Sequence, residues 1–299
     1  MTRRKFLATS TAATLLNPLA SLAKPDLQAK PGFELLILAT NWGFGGNWDA
    51  FCEKAKSAGY DGVEVWLPAE KDRPAFLDAV AKHGLSYAFL CGSGYTDFKQ
   101  HFDDFEKLLR AGVALKPLYF NCHSGKDWFD FESNRKFMEL GQEVAKSSGI
   151  PIYHETHRGR ILYSAPVARR FMEAYPDLRL TLDISHWCAV HESLLGDQAE
   201  TVQLALSRTE HIHARIGHAE GPQVNDPRAP EWKDAVEAHF AWWDAVLKRK
   251  AADGQRMTIL TEFGPPTYLP TVPYTFQPLA DQWDINVYMM KTLRERYRK

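Results

Sequence analysis

The sequence contains no Cys-x-x-Cys pair. Cys52, Cys91, Cys122 and Cys188 are scattered singly, which excludes zinc ribbons and thioredoxin-type redox motifs. Beyond residue 23 there is no apolar run of about 18 residues, so no later segment reads as a membrane span. Surplus positive charge is also missing. With 36 Lys+Arg against 37 Asp+Glu, the chain has no general electrostatic reason to bind nucleic acid, whose phosphates demand a basic surface. No linker or low-complexity tract interrupts residues 32–264, so no domain boundary falls there. What is present is the composition of an ordinary globular protein, 45% hydrophobic and 24% charged over 299 residues. That length accommodates two ordinary domains or one large α/β barrel of about 250 residues.

The first residues differ in kind. Arg3-Arg4-Lys5-Phe6-Leu7 precede a mild apolar stretch, Ala8 to Leu22, that closes on the small residues Ser21-Leu22-Ala23. This order resembles a twin-arginine export signal. On that reading residues 1–23 are a signal peptide and residues 24–299 a single mature domain. The twin-arginine export machinery delivers it to the periplasm, and no membrane span remains after cleavage. Removing three basic and no acidic residues leaves the mature chain net negative. That route carries proteins folded in a reducing cytosol, so the cysteines are expected to be free thiols that pack as small apolar residues.

Eight short β-rich runs recur along the mature chain: Glu34–Thr40, Gly62–Leu67, Ser86–Cys91, Leu118–His123, Ile152–His157, Arg179–Ile184, His211–Ile216 and Thr258–Phe263. Segments with helical periodicity separate them, such as Trp48–Ala58, Arg73–His83, Asp97–Ala111, Glu132–Ser148, Pro166–Tyr175 and Glu231–Ala252. Gly59, Gly84, Gly112 and Gly149 each fall just past a helical pattern, where a left-handed cap is wanted. Strand followed by helix, eight times, predicts an α/β fold of the (β/α)8 TIM barrel type. The loop Gly217–Pro230 is long for such a fold, and is expected to cover the barrel mouth with Arg215 and His218 near substrate.

In such a barrel the chemistry lies at the C-terminal ends of the strands. Seven of the eleven histidines (His123, His154, His157, His186, His211, His213, His218) fall on or just past predicted strand ends. Alternation along the strands lets Glu155, Asp183, His213 and Glu262 converge from four consecutive strands. Three carboxylates and one imidazole make a mostly hard oxygen site for one divalent cation, Mn²⁺ or Mg²⁺, with Co²⁺ or Zn²⁺ able to compete. Without a cation the carboxylates repel one another. His211 should lie one layer deeper, and His154 should face away from the interior. Trp42, Trp66 and Trp187 can offer flat faces to a sugar ring.

Gly59-Tyr60-Asp61-Gly62-Val63-Glu64, Glu155-x-His157, Asp183-x-x-His186, His211-x-His213 and the late Glu262 resemble the xylose-isomerase-like barrel superfamily over roughly residues 33–264. That group contains sugar isomerases and epimerases, inosose dehydratases and, more distantly, endonuclease IV. The resemblance implies the metal set already named. It implies Glu155 and Glu262 as the acid/base pair on opposite faces of the sugar, and His186 as a substrate contact. His157 and His123 would orient substrate or act as alternative bases. Arg215 departs from the ketose-epimerase arginine, which lies further along the chain, so ketose-epimerase specificity does not carry over with it.

The function expected is metal-dependent proton abstraction next to a carbonyl of a carbohydrate, as an isomerase or epimerase. The alternative is a lyase or hydratase acting on 3-keto-glycosides. A nuclease of the endonuclease IV kind needs a three-zinc cluster and a basic face, and an inactive sugar-binding protein would not need carboxylates at 155 and 262. The substrate is expected to be unphosphorylated, because export leads away from sugar phosphates and Pro265-Pro266 lack the amides of a phosphate cradle. Arg158, Arg160 and Arg215 are the groups that could bind substrate oxygens or, against this reading, a phosphate.

Overall fold

A computed structural model describes residues 22–297; the arginine pair and nearly all of the apolar run expected to direct export lie outside the described residues. The β-rich runs form eight strands: β1 (Glu34–Thr40), β2 (Gly62–Trp66), β3 (Ser86–Gly92), β4 (Phe120–His123), β5 (Ile152–Glu155), β6 (Leu180–Leu182), β7 (Thr209–Ala214) and β8 (Arg256–Thr261). Each pairs in parallel with the next, and β8 closes on β1 from Glu34↔Arg256 to Ala39↔Thr261. This closed ring is the expected TIM barrel. Its outer layer is α1 (Trp48–Ala58), α2 (Arg73–His83), α3 (Phe98–Val113), α4 (Phe131–Ser148), α5 (Ala165–Ala174), α6 (Ile184–Val190), α7 (Ala199–Arg208), α8 (Lys233–Ala252) and α9 (Gln282–Tyr297).

Local chemistry sets these boundaries. Asn47, Asp97 and Asp130 cap α1, α3 and α4 by accepting the amides of Ala50, Gln100 and Ser133. Gly59 ends α1 at φ 100°, a conformation an L side chain resists. Gly112 is not a cap: it lies inside α3, where a Cβ would meet the Phe120 ring at 2.2 Å, so its role is close helix–strand packing. No element was expected after residue 264, yet α9 buries Ile285, Met289, Leu293 and Tyr297, spaced four apart as one helical face. Among the described residues no helix is long and apolar enough to cross a membrane. All four cysteines are free and buried.

Four strands end two residues earlier than their sequence pattern. β5 stops at Glu155, β6 at Leu182, β7 at Ala214 and β8 at Thr261, because the amides beyond leave the ladder for other acceptors. The Asp183 N–H donates to Thr156 Oγ1 at 2.9 Å, and the Phe263 N–H to Asn286 Oδ1 at 2.9 Å. A register shift between Leu180 and Thr181, where β6 meets β7, pairs Thr181 with His211.

Buried histidines outside the site tie this frame together. His239 on α8 donates from Nδ1 to the Ala235 carbonyl at 2.8 Å and accepts the Gly217 N–H on Nε2 at 3.2 Å, so its neutral form is fully satisfied. Burial pushes its pKa from 6.5 down to about 4, and does the same to His154, whose ring reaches from β5 against Gly141 of α4. The unfolded chain therefore takes up protons first. The stability these groups contribute is present above pH 6.5 and is lost as pH falls toward 4. Unfolding free energy should drop by about 1.5 kcal/mol per histidine between pH 6.5 and 5. Urea titrations across that range check this, and His239→Gln should reduce the drop by about 1.5 kcal/mol, the share of one histidine. Equal slopes in both proteins would contradict it.

Candidate active site

Inside the barrel, Leu38, Ala88, Tyr119 and Leu260 form a small apolar layer. Directly above it the interior turns polar. The Tyr119 hydroxyl donates to Glu64 Oε2 at 2.5 Å, and His211 Nε2 lies 2.9 Å from the same oxygen while its Nδ1 donates to the Thr258 carbonyl at 2.9 Å. The other oxygen, Glu64 Oε1, accepts from His213 Nε2 at 2.9 Å. Burial opposes ionisation of Glu64, but His211 and His213 outweigh it and hold this carboxyl well below the usual range. The consequence for His213 is a fixed orientation: Nε2 holds a hydrogen toward Glu64 and Nδ1 is presented to the other carboxylates.

Nδ1 of His213 faces Glu262 Oε2 at 2.8 Å and lies 3.7 Å from Glu155 Oε2. Asp183 caps α6: its Oδ1 accepts the Ser185 amide at 3.2 Å and the Ser185 hydroxyl, and its Oδ2 takes the Arg215 guanidinium. Glu155 Oε2 accepts from Asn121 Nδ2 at 2.6 Å and lies 2.9 Å from His123 Nε2. Asp183, His213 and Glu262 each offer an atom within 4.8 Å of the others, and so do Glu155, Asp183 and His186. Three of the expected ligands, Asp183, His213 and Glu262, thus meet, while Glu155 approaches Asp183 in the second group and His213 at 3.7 Å.

Their chemistry fits a divalent cation. Glu155 Oε1 is buried with no hydrogen-bond partner, and Glu262 Oε2 and His213 Nδ1, 2.8 Å apart, have none but each other. Donor atoms on metal bonds of about 2.0–2.2 Å at right angles lie about 3 Å apart, close to the His213–Glu262 separation. The electrostatics show the same demand for positive charge. Burial pushes the Asp183 carboxyl up to about 6, against the pull of Arg215 and with Glu262 and Glu155 adding to the rise. Burial disfavours a charged His213, but Glu262, Glu155 and Glu64 hold its pKa well above the ordinary range.

The site opens into a cavity of about 370 Å³ lined by Trp42, Trp66, His123, His157, Arg215, Glu262 and Tyr268, among others. Glu155, Asp183, His213 and His186 lie beneath its floor, at most 2% exposed. Three imidazoles stack at one side, His123 on His157 at 4.5 Å between ring centroids and His157 on His186 at 3.8 Å. Burial keeps His157 and His186 well below the usual histidine range, with neighbouring positive charge adding to the effect. Arg158 is exposed on the rim, its guanidinium 5.3 Å from the Tyr268 ring, against which Arg215 also lies at 4.8 Å.

Two sequence expectations do not hold. Trp187 offers no face to a ligand: it is fully buried, with its indole N–H donated to the Leu162 carbonyl at 2.9 Å. His218 packs on Trp232 at 4.7 Å, and residues 217–230 do not line this cavity. The loop braces instead. Gln223 exchanges two hydrogen bonds with the backbone of Gly264, at 2.7 and 3.1 Å, and Gly264 sits so close to Trp42 that a Cβ would fall 2.3 Å from its ring.

The Xylose isomerase-like TIM barrel family matches residues 52–237, more than half of the chain and most of this site. The chain belongs to that family. Inosose dehydratase of Mesomycoplasma hyopneumoniae is 25% identical to it over 190 residues, covering 56% of this chain and 62% of the relative, so the chain spans less than two thirds of such a relative's length. Mannonate dehydratase from Streptococcus suis serotype 2 superposes with a TM-score of 0.59 at 11% identity, over 89% of this chain and 94% of that one. Endonuclease IV from Thermus thermophilus does so at 0.53 and 13%, over 89% and 98%. At such identities these two likenesses are of fold alone.

Within this xylose isomerase-like barrel the sequence reading gave no role to Glu64, Asn121 or Tyr268. A charged residue between Val63 and Val65 in a strand buried on both sides is the signal that points to Glu64. Asn121 carries a weaker one, as a strand-end amide beside His123. Tyr268, on the proline-rich loop after β8, carries none.

Proposed function

We propose that this protein is a divalent-metal-dependent enzyme that removes a proton next to a carbonyl of an unphosphorylated carbohydrate, and that it acts after export through the twin-arginine route that Arg3-Arg4 would address. The observation that carries the proposal is the meeting of Asp183, His213 and Glu262, with Glu155 joined to them through Asp183 and His213, at the floor of a cavity walled by Trp42 and Trp66. A divalent ion held there would supply Lewis-acid stabilisation for the negative charge that develops on the carbonyl oxygen. Glu155 and Glu262 reach the centre from different sides of the barrel, so one can take the proton and the other return it. His157 and His123 line the cavity beside Glu155, where they can orient hydroxyl groups or relay that proton. Arg215 is positioned by Asp183 and the Tyr268 ring, and His186 supports it from below, with Nε2 at 2.8 Å.

Return of the proton to the opposite face completes an epimerisation or isomerisation. Loss of a neighbouring hydroxyl or anomeric group completes an elimination, and the inosose dehydratase relatives favour this as the second reading, including on a 3-keto-glycoside whose ketone acidifies the C2 proton. The unphosphorylated substrate is supported at the end of β8. Pro265 and Pro266 have no amide to donate, and the Gly264 N–H is already given to Gln223.

Exchange of substrate protons with solvent deuterium tests the shared first step. With Mn²⁺ present, deuterium should enter the carbon beside the carbonyl of a free keto-sugar or a 3-keto-glycoside, and excess EDTA should stop it. Exchange that survives EDTA, or a clear preference for matched sugar phosphates that disappears in Arg158→Ala, would overturn the reading.

A further inference from the structure

At the opposite end of the barrel, where the strands begin, lies a second cavity of about 680 Å³. Tyr119 and Thr258 line it from within and separate it from Glu64 and His211, so it is distinct from the candidate active site. Positive charge concentrates around it. Arg179 precedes β6, Arg208 ends α7, Arg249 and Lys250 lie in the last turn of α8, and Arg256 opens β8. Only two carboxylates, Glu210 and Asp253, share this lining.

The existing pairs do not use up that charge. Lys250 and Arg249 share the single carboxylate of Glu210, and Arg256 is paired with Glu34 outside the cavity at 2.6 Å. Arg179 donates only to the Pro176 and Leu178 carbonyls, and Arg208 has no hydrogen bond or ion pair among the described residues. Nε of Arg249 is buried with no partner. Helix C-termini facing this end use part of the charge, as where Arg249 donates to the Thr209 carbonyl, but Arg179 and Arg256 stand at strand starts and answer no helix dipole. Across the cavity, the Tyr119 and Tyr153 rings lie 5.2 Å apart and tilted by 30°, a flat apolar wall.

We propose that this cavity is a second binding site, for a small anion carrying phosphate or several carboxylates, whose charged end meets Arg179, Arg208 and Arg256 and whose body rests on Tyr153. Guanidinium groups match both anion types through paired N–H donors. Calorimetric titration of the full chain with inorganic phosphate, with pyrophosphate and with citrate, at constant ionic strength, tests it. Saturable binding with a Kd below about 1 mM is expected for at least one of them. That component should weaken about tenfold or more in Arg208→Glu and in Arg256→Gln, and stay unchanged in Arg158→Ala at the other mouth. Arg208 and Arg256 both lie on the periphery, and circular dichroism identifies any variant that fails to fold, in which case the other is read. No saturation by any of the three anions overturns the site. So does binding that Arg158→Ala removes while the folded cavity variants retain it.

Discussion

Replacing Asp183 with asparagine is expected to leave a folded barrel that no longer retains a divalent cation and turns over about a thousandfold more slowly. Asparagine keeps the shape of the side chain and an oxygen for the Ser185 amide, so the start of α6 survives. What disappears is one of three negative charges, on the ligand whose own environment already resists ionisation, since burial lifts its pKa to about 6. Lewis-acid stabilisation is worth several kcal/mol, and each 1.4 kcal/mol is about tenfold in rate, which sets the size of the loss. Metal analysis of purified Asp183→Asn beside the parent protein, with the deuterium-exchange rate and a far-ultraviolet spectrum, reads all three consequences. One metal per chain retained in the variant would remove Asp183 from the ligand set.

Arg215→Met should destabilise the chelator-treated protein by about 3–5 kcal/mol, because it leaves a buried carboxylate without its counter-charge. Arg215 is 2% exposed, holds Asp183 directly and lies 3.7 Å from Glu262. Methionine preserves the apolar stem against Tyr268 while removing the guanidinium. A divalent cation offers the missing charge from the other side of Asp183, so saturating Mn²⁺ should restore more stability to the variant than it adds to the parent. Urea unfolding in EDTA and in Mn²⁺ gives both differences. If the variant matches the parent in EDTA, Arg215 is not what balances the carboxylates there.

The barrel was readable from the chain because its signals are local. Each strand is a short β-rich run, and Gly59, Gly84 and Gly149 mark helix ends directly before three of them. That Glu155, Asp183, His213 and Glu262 stand at the same end of the barrel was readable for a related reason: they end or follow consecutive strands, and the barrel end is fixed by topology. The exact strand ends were not readable, since β6 and β8 are cut short by side chains distant in sequence, Thr156 and Asn286. Glu64 escaped because a strand buried on both faces shows no alternation to break. The basic cavity at the opposite end escaped for another reason: Arg179, Arg208 and Arg256 come from three separate elements, and nothing in their spacing announces that they meet.

The close contact between Gly264 and Trp42 bears on any attempt to retarget this barrel by directed evolution. Position 264 admits no side chain larger than hydrogen without displacing an indole, and the Gln223 bonds on either side of it hold the backbone still. Randomising 42, 223 or 264 would fill a library with misfolded clones. Trp66 and Arg158 carry no such lock; both are exposed at the mouth, and diversity introduced there samples new ligands without rebuilding the wall behind them.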